Sequence, residues 1–159
     1  MLHLSPDLIH SQLFDEITFY PQFIKDLKSC RKEVIIESPY ITFLRTGVLI
    51  KHFENLVNKK VKVYIITRDP IDHDITMKEQ AETEIRRFET MGIQVLVTSN
   101  FSHRKLAILD RTILYEGSLN ILSQNCSREI MRRIHSEVQA KECFRIFMDH
   151  NMYAGFEVF

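Results

Sequence analysis

The chain has 159 residues, 45% hydrophobic and 26% charged, which is enough for one domain with a sizeable core. Its 21 Lys and Arg balance 21 Asp and Glu, so a polyanion would have to be held by local clusters of cations rather than by an overall basic surface. The composition excludes disordered, collagenous and membrane-embedded classes, because no segment approaches the ~20 apolar residues needed to cross a bilayer.

The amino terminus reads as having no leader, since a basic start followed by an apolar run is missing. Cys30, Cys126 and Cys143 are widely spaced with no CxxC pair, the pattern of free thiols in a reducing cytosol. The expectation is a cytoplasmic protein without a transmembrane segment.

In chain order, apolar residues from Leu13 through Ile17, Tyr20, Phe23, Ile24 and Leu27 recur at helical spacing, which predicts an amphipathic helix over Gln12 to Lys28, kinked or restarted at Pro21. Val34 to Ile36 reads as a buried strand ending at Ser38-Pro39-Tyr40, and Val48 to Asn58 as a helix. Val61 to Thr67 alternates as a strand. After the polar loop Arg68 to Thr76, a capping box of Thr76 and Glu79 predicts a helix that stops at Gly92. Strands follow at Ile93–Thr98, Lys105–Leu109, Thr112–Tyr115 and Ile130–Ile134. A last helix from Val138 to Met152 should turn Cys143, Phe144, Phe147 and Met148 inward.

This alternation predicts an α/β sandwich with a mixed, largely parallel sheet flanked by helices and a more antiparallel carboxy-terminal section. Without a repeat, linker or low-complexity tract, residues 1–159 read as a single domain.

The segment HRKLAILDRTILYEGSLN contains His103, Lys105, Asp110, Gly117, Ser118 and Asn120 in the order HxKx4Dx6GSxN. Six polar or small residues in fixed spacing interrupt an apolar strand pattern. Residues two apart on a strand share a face, so His103 and Lys105 converge. A returning antiparallel strand would bring Gly117, Ser118 and Asn120 beside them. Glycine there would allow close approach of a ligand, while hydroxyl and amide supply neutral donors. Imidazole, ammonium and amide together suit a phosphate diester whose charge grows in the transition state.

The motif resembles the phospholipase D superfamily signature, and the likeness extends more weakly to EVIIESPYITF, KKVKVYIITRD and SREIMRRI. The resemblance implies a phospholipase D-like sandwich and a metal-independent phosphodiesterase with no cofactor. In the family a histidine attacks phosphorus, a second histidine protonates the leaving oxygen, and water releases the phosphate. On that reading His103 is the nucleophile, Lys105 and Asn120 join it as catalytic residues, and Asp110, Gly117 and Ser118 support them. A bare attacking nitrogen needs the other ring nitrogen to donate to an acceptor, and the resemblance makes Glu129 that acceptor. Asp110 reads as a structural carboxylate anchoring the turn beneath Lys105.

Such diester hydrolases usually carry two motifs, and this chain has one HxK. The resemblance therefore implies a two-fold homodimer with both His103 residues facing across the axis. Arg104 and Arg68 are candidates for guiding a polyanion, and Tyr40 borders the site in the resembled family, where it or Phe43 could stack on a base, although core packing is the plainer reading. The Asp69 to Asp74 run with His73 has metal-ligand chemistry, yet Asp and His before a helix are more often turn formers, and no metal is expected.

The leading expectation is an endonuclease acting on nucleic acid, DNA ahead of RNA, with little sequence specificity. It reads equally as the nuclease module of a restriction or helicase-linked polypeptide. A phospholipid phosphodiesterase or phosphatidyl transferase is the alternative, and a non-catalytic nucleic-acid-binding module is the third reading.

Overall fold

The computed structural model describes residues 10–98 and 102–150, without the side chains of 149 and 150. A seven-stranded sheet runs in the order β1-β7-β6-β5-β2-β3-β4. Its strands are β1 (His10–Asp15), β2 (Glu33–Glu37), β3 (Lys62–Arg68), β4 (Gln94–Thr98), β5 (Leu106–Leu109), β6 (Ile113–Gly117) and β7 (Ile130–His135). The helices are α1 (Phe19–Ser29), α2 (Phe43–Asn58), α3 (Ile75–Thr90) and α4 (Glu137–His150).

The mixed α/β sandwich is therefore present, with parallel pairing confined to β2–β3 and β3–β4. The pairs β2–β5, β5–β6, β6–β7 and β1–β7 are antiparallel and outnumber the parallel ones. Antiparallel pairing begins at β5, which runs opposite to β2, and the β5–β6 hairpin continues it through a tight turn.

Side chains alternate between two cores, as the two-residue period of a strand requires. Val34, Ile36, Val63, Ile65, Ala107, Leu109 and Tyr115 face α1, α2 and α3, where Phe19, Phe23, Phe53 and Phe88 are fully buried. Ile35, Tyr64, Ile66, Leu106, Ile108 and Leu114 face α4, which contributes Ala140, Phe144 and Phe147 with Cys143 and Met148 partly buried. That inward face of the last helix matches the pattern read from sequence; its expected end at Met152 lies outside the described residues.

Two expectations need correction. Gln12 to Asp15 belong to strand β1, paired with Ile130 to Arg133, and the helix begins only at Phe19. Leu13 is 59% exposed, so the helical spacing there did not record burial. Pro21 sits in the helix's first turn, where a missing N–H costs nothing, so it starts the helix rather than kinking it. The cap of α3 is Asp74, not Thr76: the Asp74 carboxylate accepts from the Met77 N–H at 3.0 Å. Gly92 does end that helix, with φ +92°.

Candidate active site

Strands β2 and β5 lie side by side at the sheet's centre and in register, with Glu37 opposite Leu106 and Val34 opposite Leu109. At one end the chain turns tightly through Asp110 and Arg111, both with positive φ, 51° and 54°. At the other end, residues 102–105 lead into β5 outside any regular element. His103 and Lys105 lie in this lead-in, and β6 returns Gly117 and Ser118 beside them, with Gly117 N–H donating to the Lys105 carbonyl at 3.3 Å.

His103 is exposed and Lys105 half-buried. The Lys105 Nζ lies 2.9 Å from His103 Nδ1 and also donates to the His103 backbone carbonyl. Burial holds the Lys105 ammonium below its usual range, and the nearby Glu129 carboxylate opposes that shift. The Tyr40 and His103 ring centroids lie 6.4 Å apart with their planes at 80°, and those of Tyr40 and His73 lie 4.9 Å apart with their planes at 36°. Asn120 is half-buried with Oδ1 lacking a hydrogen-bond partner among the described residues.

His103 and Lys105 open onto a groove of about 1010 Å³. Arg104, Arg128 and Arg132 line it with the acids Glu116 and Glu129, and Leu13, Ile130 and Ile146 form an apolar wall. A neutral chain has thus gathered cations where an imidazole and an ammonium already meet, the local clustering that holding a phosphate requires.

The family model of the cardiolipin synthase, phospholipase D-like domain matches residues 23–151, most of the chain. The chain belongs to the phospholipase D superfamily. No curated protein sequence matches it significantly. Among solved structures, it is similar to Nuc from Salmonella typhimurium, a phospholipase D family member, with TM-score 0.74 and 16% identity over 89% of this chain and 93% of that one. NucT from Helicobacter pylori aligns with TM-score 0.69 and 18% identity, covering 89% and 94%. The phosphatidylserine synthase of Haemophilus influenzae Rd KW20 gives TM-score 0.65 and 15% identity, covering 91% of this chain but 39% of that one. At these identities the likeness is one of fold.

Of the motif residues, His103, Lys105, Gly117 and Ser118 line one groove together with Glu129, and Asn120 and Asp110 are not among its lining residues. Asp110 does not lie beneath Lys105; it sits at the far end of β5, where its carboxylate accepts the Arg31, Lys32 and Glu33 N–H groups at 2.9, 2.8 and 3.0 Å. Four strand residues intervene, and at ~3.3 Å each they carry it well away from the ammonium.

Gly117 has a reason other than ligand approach, because a Cβ there would stand 2.1 Å from the Ile130 carbonyl. The close neighbour is strand β7. The Ser118 hydroxyl accepts from the Ile130 N–H at 3.1 Å, tying the same two strands.

Glu129 accepts from the Ser127 hydroxyl at 2.8 Å, and no hydrogen bond joins it to His103 among the described residues. Arg104 Nε meets Glu37 at 3.1 Å, and Arg68 Nε meets Asp72 at 3.4 Å. Phe43 is 63% exposed at the start of α2, so it is not a core residue. In the Asp69 to Asp74 run, Asp69 accepts from Ile71 N–H and Asp74 caps α3, as turn formers do.

Sequence reasoning missed Glu37 and the place of His73. Glu37 is buried beside the motif, and its signal was an acid ending an otherwise apolar strand. The half-buried His73 packs on Tyr40, and burial with the Arg68 cation holds its imidazole below the usual range; only the fold brings that loop to the site.

Proposed function

We propose that this chain is a metal-independent nuclease, acting on DNA ahead of RNA, in which His103 attacks phosphorus and a second copy of the chain completes the site. The observation that carries this reading is the His103–Lys105 pair, Nδ1 to Nζ 2.9 Å, at the mouth of a cation-lined groove.

An ammonium donating to Nδ1 leaves the ring proton on Nε2, and a nitrogen that carries a proton cannot attack. An arriving diester supplies a stronger acceptor for Lys105, which moves onto a phosphoryl oxygen and releases Nδ1. The ring proton then resides on Nδ1 and donates to Glu129, so that Nε2 can bond to phosphorus. As the phosphorus–oxygen bond to the leaving group breaks, the departing oxygen takes a proton from the partner subunit's His103. Water then gives a proton to the partner subunit's His103 and attacks phosphorus, the phosphorus–nitrogen bond breaks, and both imidazoles return to their starting states.

Lys105 and the Asn120 amide hold the charge that develops on the phosphoryl oxygens. The donor for this is the Asn120 side-chain Nδ2, and the residue's backbone carbonyl is fixed by the Ser123 and Gln124 N–H groups. Tyr40, Arg68 and Arg104 guide the polyanion. The requirement for a general acid and the single HxK in the chain support the homodimer.

Free Cys30, Cys126 and Cys143 fit a reducing cytoplasm. Among the described residues no helix is long and apolar enough to cross a membrane. The apolar wall of Leu13, Ile130 and Ile146 favours a second reading, a phospholipid diester whose chains lie along it.

Incubating the protein in excess chelator with labelled DNA, RNA and phospholipid vesicles tests both readings. Undiminished cleavage of DNA by wild type, with none by His103→Asn, is expected. Cleavage of vesicle lipid alone would move the substrate to lipid, and strict dependence on added metal would overturn the mechanism.

A further inference from the structure

His103 lies outside the strand ladder, so something other than regular pairing has to hold it. Glu37, the last residue of β2, is 2% exposed and stands opposite Leu106, where the lead-in joins β5. Its Oε1 accepts the Ser102 hydroxyl at 2.5 Å and the Arg104 Nε at 3.1 Å. Those are the two immediate neighbours of His103. Ser102 and Arg104 thus reach one carboxylate oxygen from either side of His103.

We propose that Glu37 is the positioning residue for His103, clamping the backbone on both sides of the imidazole through one carboxylate oxygen. The inference rests on the phosphodiesterase reading of His103. Bonds from a charged acceptor to a hydroxyl and a guanidinium are among the stronger ones a side chain makes. They substitute here for the missing ladder.

Stability alone does not explain this carboxylate. Its Oε2 has no hydrogen-bond partner among the described residues. Its cation is only half-buried, with 38% of the Arg104 side chain exposed. Burying a half-satisfied carboxylate is costly, and buried ion pairs as a class add little net stability. Holding a nucleophile within an ångström of its line of attack is a sufficient reason, since such a displacement alone costs about 100-fold in rate.

The test compares wild type, Glu37→Gln, Glu37→Asp, Arg104→Gln and the double variant Glu37→Gln/Arg104→Gln. Each is read by kcat and KM on bis(4-nitrophenyl) phosphate and by the nitrogen NMR signals of the His103 ring.

Glu37→Gln is expected to lower kcat about 10- to 100-fold with KM within about twofold. Its His103 ring signals should shift or broaden. Glu37→Asp should recover part of the rate, and the double variant should be no slower than Glu37→Gln, because both changes break one clamp. If Glu37→Gln does not fold, Arg104→Gln, which removes one arm and keeps the carboxylate, is expected to show the same loss and broadening.

Folded Glu37→Gln or Arg104→Gln with wild-type kcat and unchanged ring signals would overturn the proposal, as would a rate that falls only with the folded fraction. A wild type that cleaves no diester would defeat the phosphodiesterase reading instead, and the ring signals would then decide the clamp alone.

Discussion

Strand β2 carries a buried glutamate at each end, Glu33 and Glu37, both 2% exposed. They are treated differently. At the far end Arg111 meets Glu33 with Nε at 2.5 Å and a terminal amino group at 3.2 Å, and the guanidinium lies 3.8 Å over the Phe144 ring. Asp110 beside it is saturated by three backbone N–H groups. At the near end Glu37 has one oxygen paired and one unpaired, and Asn120 Oδ1 is unpaired as well among the described residues. A fold that satisfies its polar groups at one end of a strand and leaves them open at the other has a use for the open end, since unpaired buried groups cost stability and persist where function needs them.

The sharpest way to probe that contrast is to damage the frame without touching a chemical group. Gly117→Ala puts a methyl against the Ile130 carbonyl, with 2.1 Å available. It should cost about 3 kcal/mol or more and part β6 from β7, seen as a large drop in melting temperature. A melt unchanged from wild type would show that β7 yields easily.

Next comes the opposed pair Asp110→Ala and Asn120→Ala. The first strands three N–H groups and should lose about 2–4 kcal/mol of stability, with the folded fraction keeping its kcat. The second should leave the melt within about 0.5 kcal/mol of wild type and lower kcat about 10- to 1000-fold. If the two effects were exchanged, the division of the strand into a structural and a chemical end would be broken.

The smallest effect is electrostatic. Lys105 works as a cation, and burial lowers its pKa. Its charge, present below that pKa, is therefore lost at a lower pH than the ~10.4 of an ordinary lysine. Activity should fall on the alkaline side below that value. Glu129 raises the Lys105 pKa, so Glu129→Gln should move the alkaline limb of its remaining activity further toward neutral. A limb that stays in place or moves up would show that another group titrates there.

Much of this was legible in the sequence because local rules carried it. The continuous apolar runs Val34 to Ile36 and Val63 to Ile66 record burial on both sheet faces, and the HxKx4Dx6GSxN spacing places His103, Lys105, Gly117 and Ser118 on one hairpin. What stayed hidden depends on contacts distant along the chain. Leu13 reads as helical by spacing, yet its neighbours are strand residues more than a hundred positions away. Asp110 and Lys105 are close in sequence and sit at opposite ends of a strand. Glu37 and Arg104 are 67 residues apart, and neither looks unusual until β2 and β5 are paired.

The claim that all of this serves is that His103 forms a bond to phosphorus. Mixing the protein with an oligonucleotide labelled at the reacting phosphate, quenching with alkali and mapping the label by mass spectrometry measures that directly. An acid-labile, alkali-stable phosphoryl adduct on His103, absent from His103→Asn, is the predicted result. Cleavage at the normal rate with no adduct at His103 at any quench time, or with the adduct on another residue, would contradict the account.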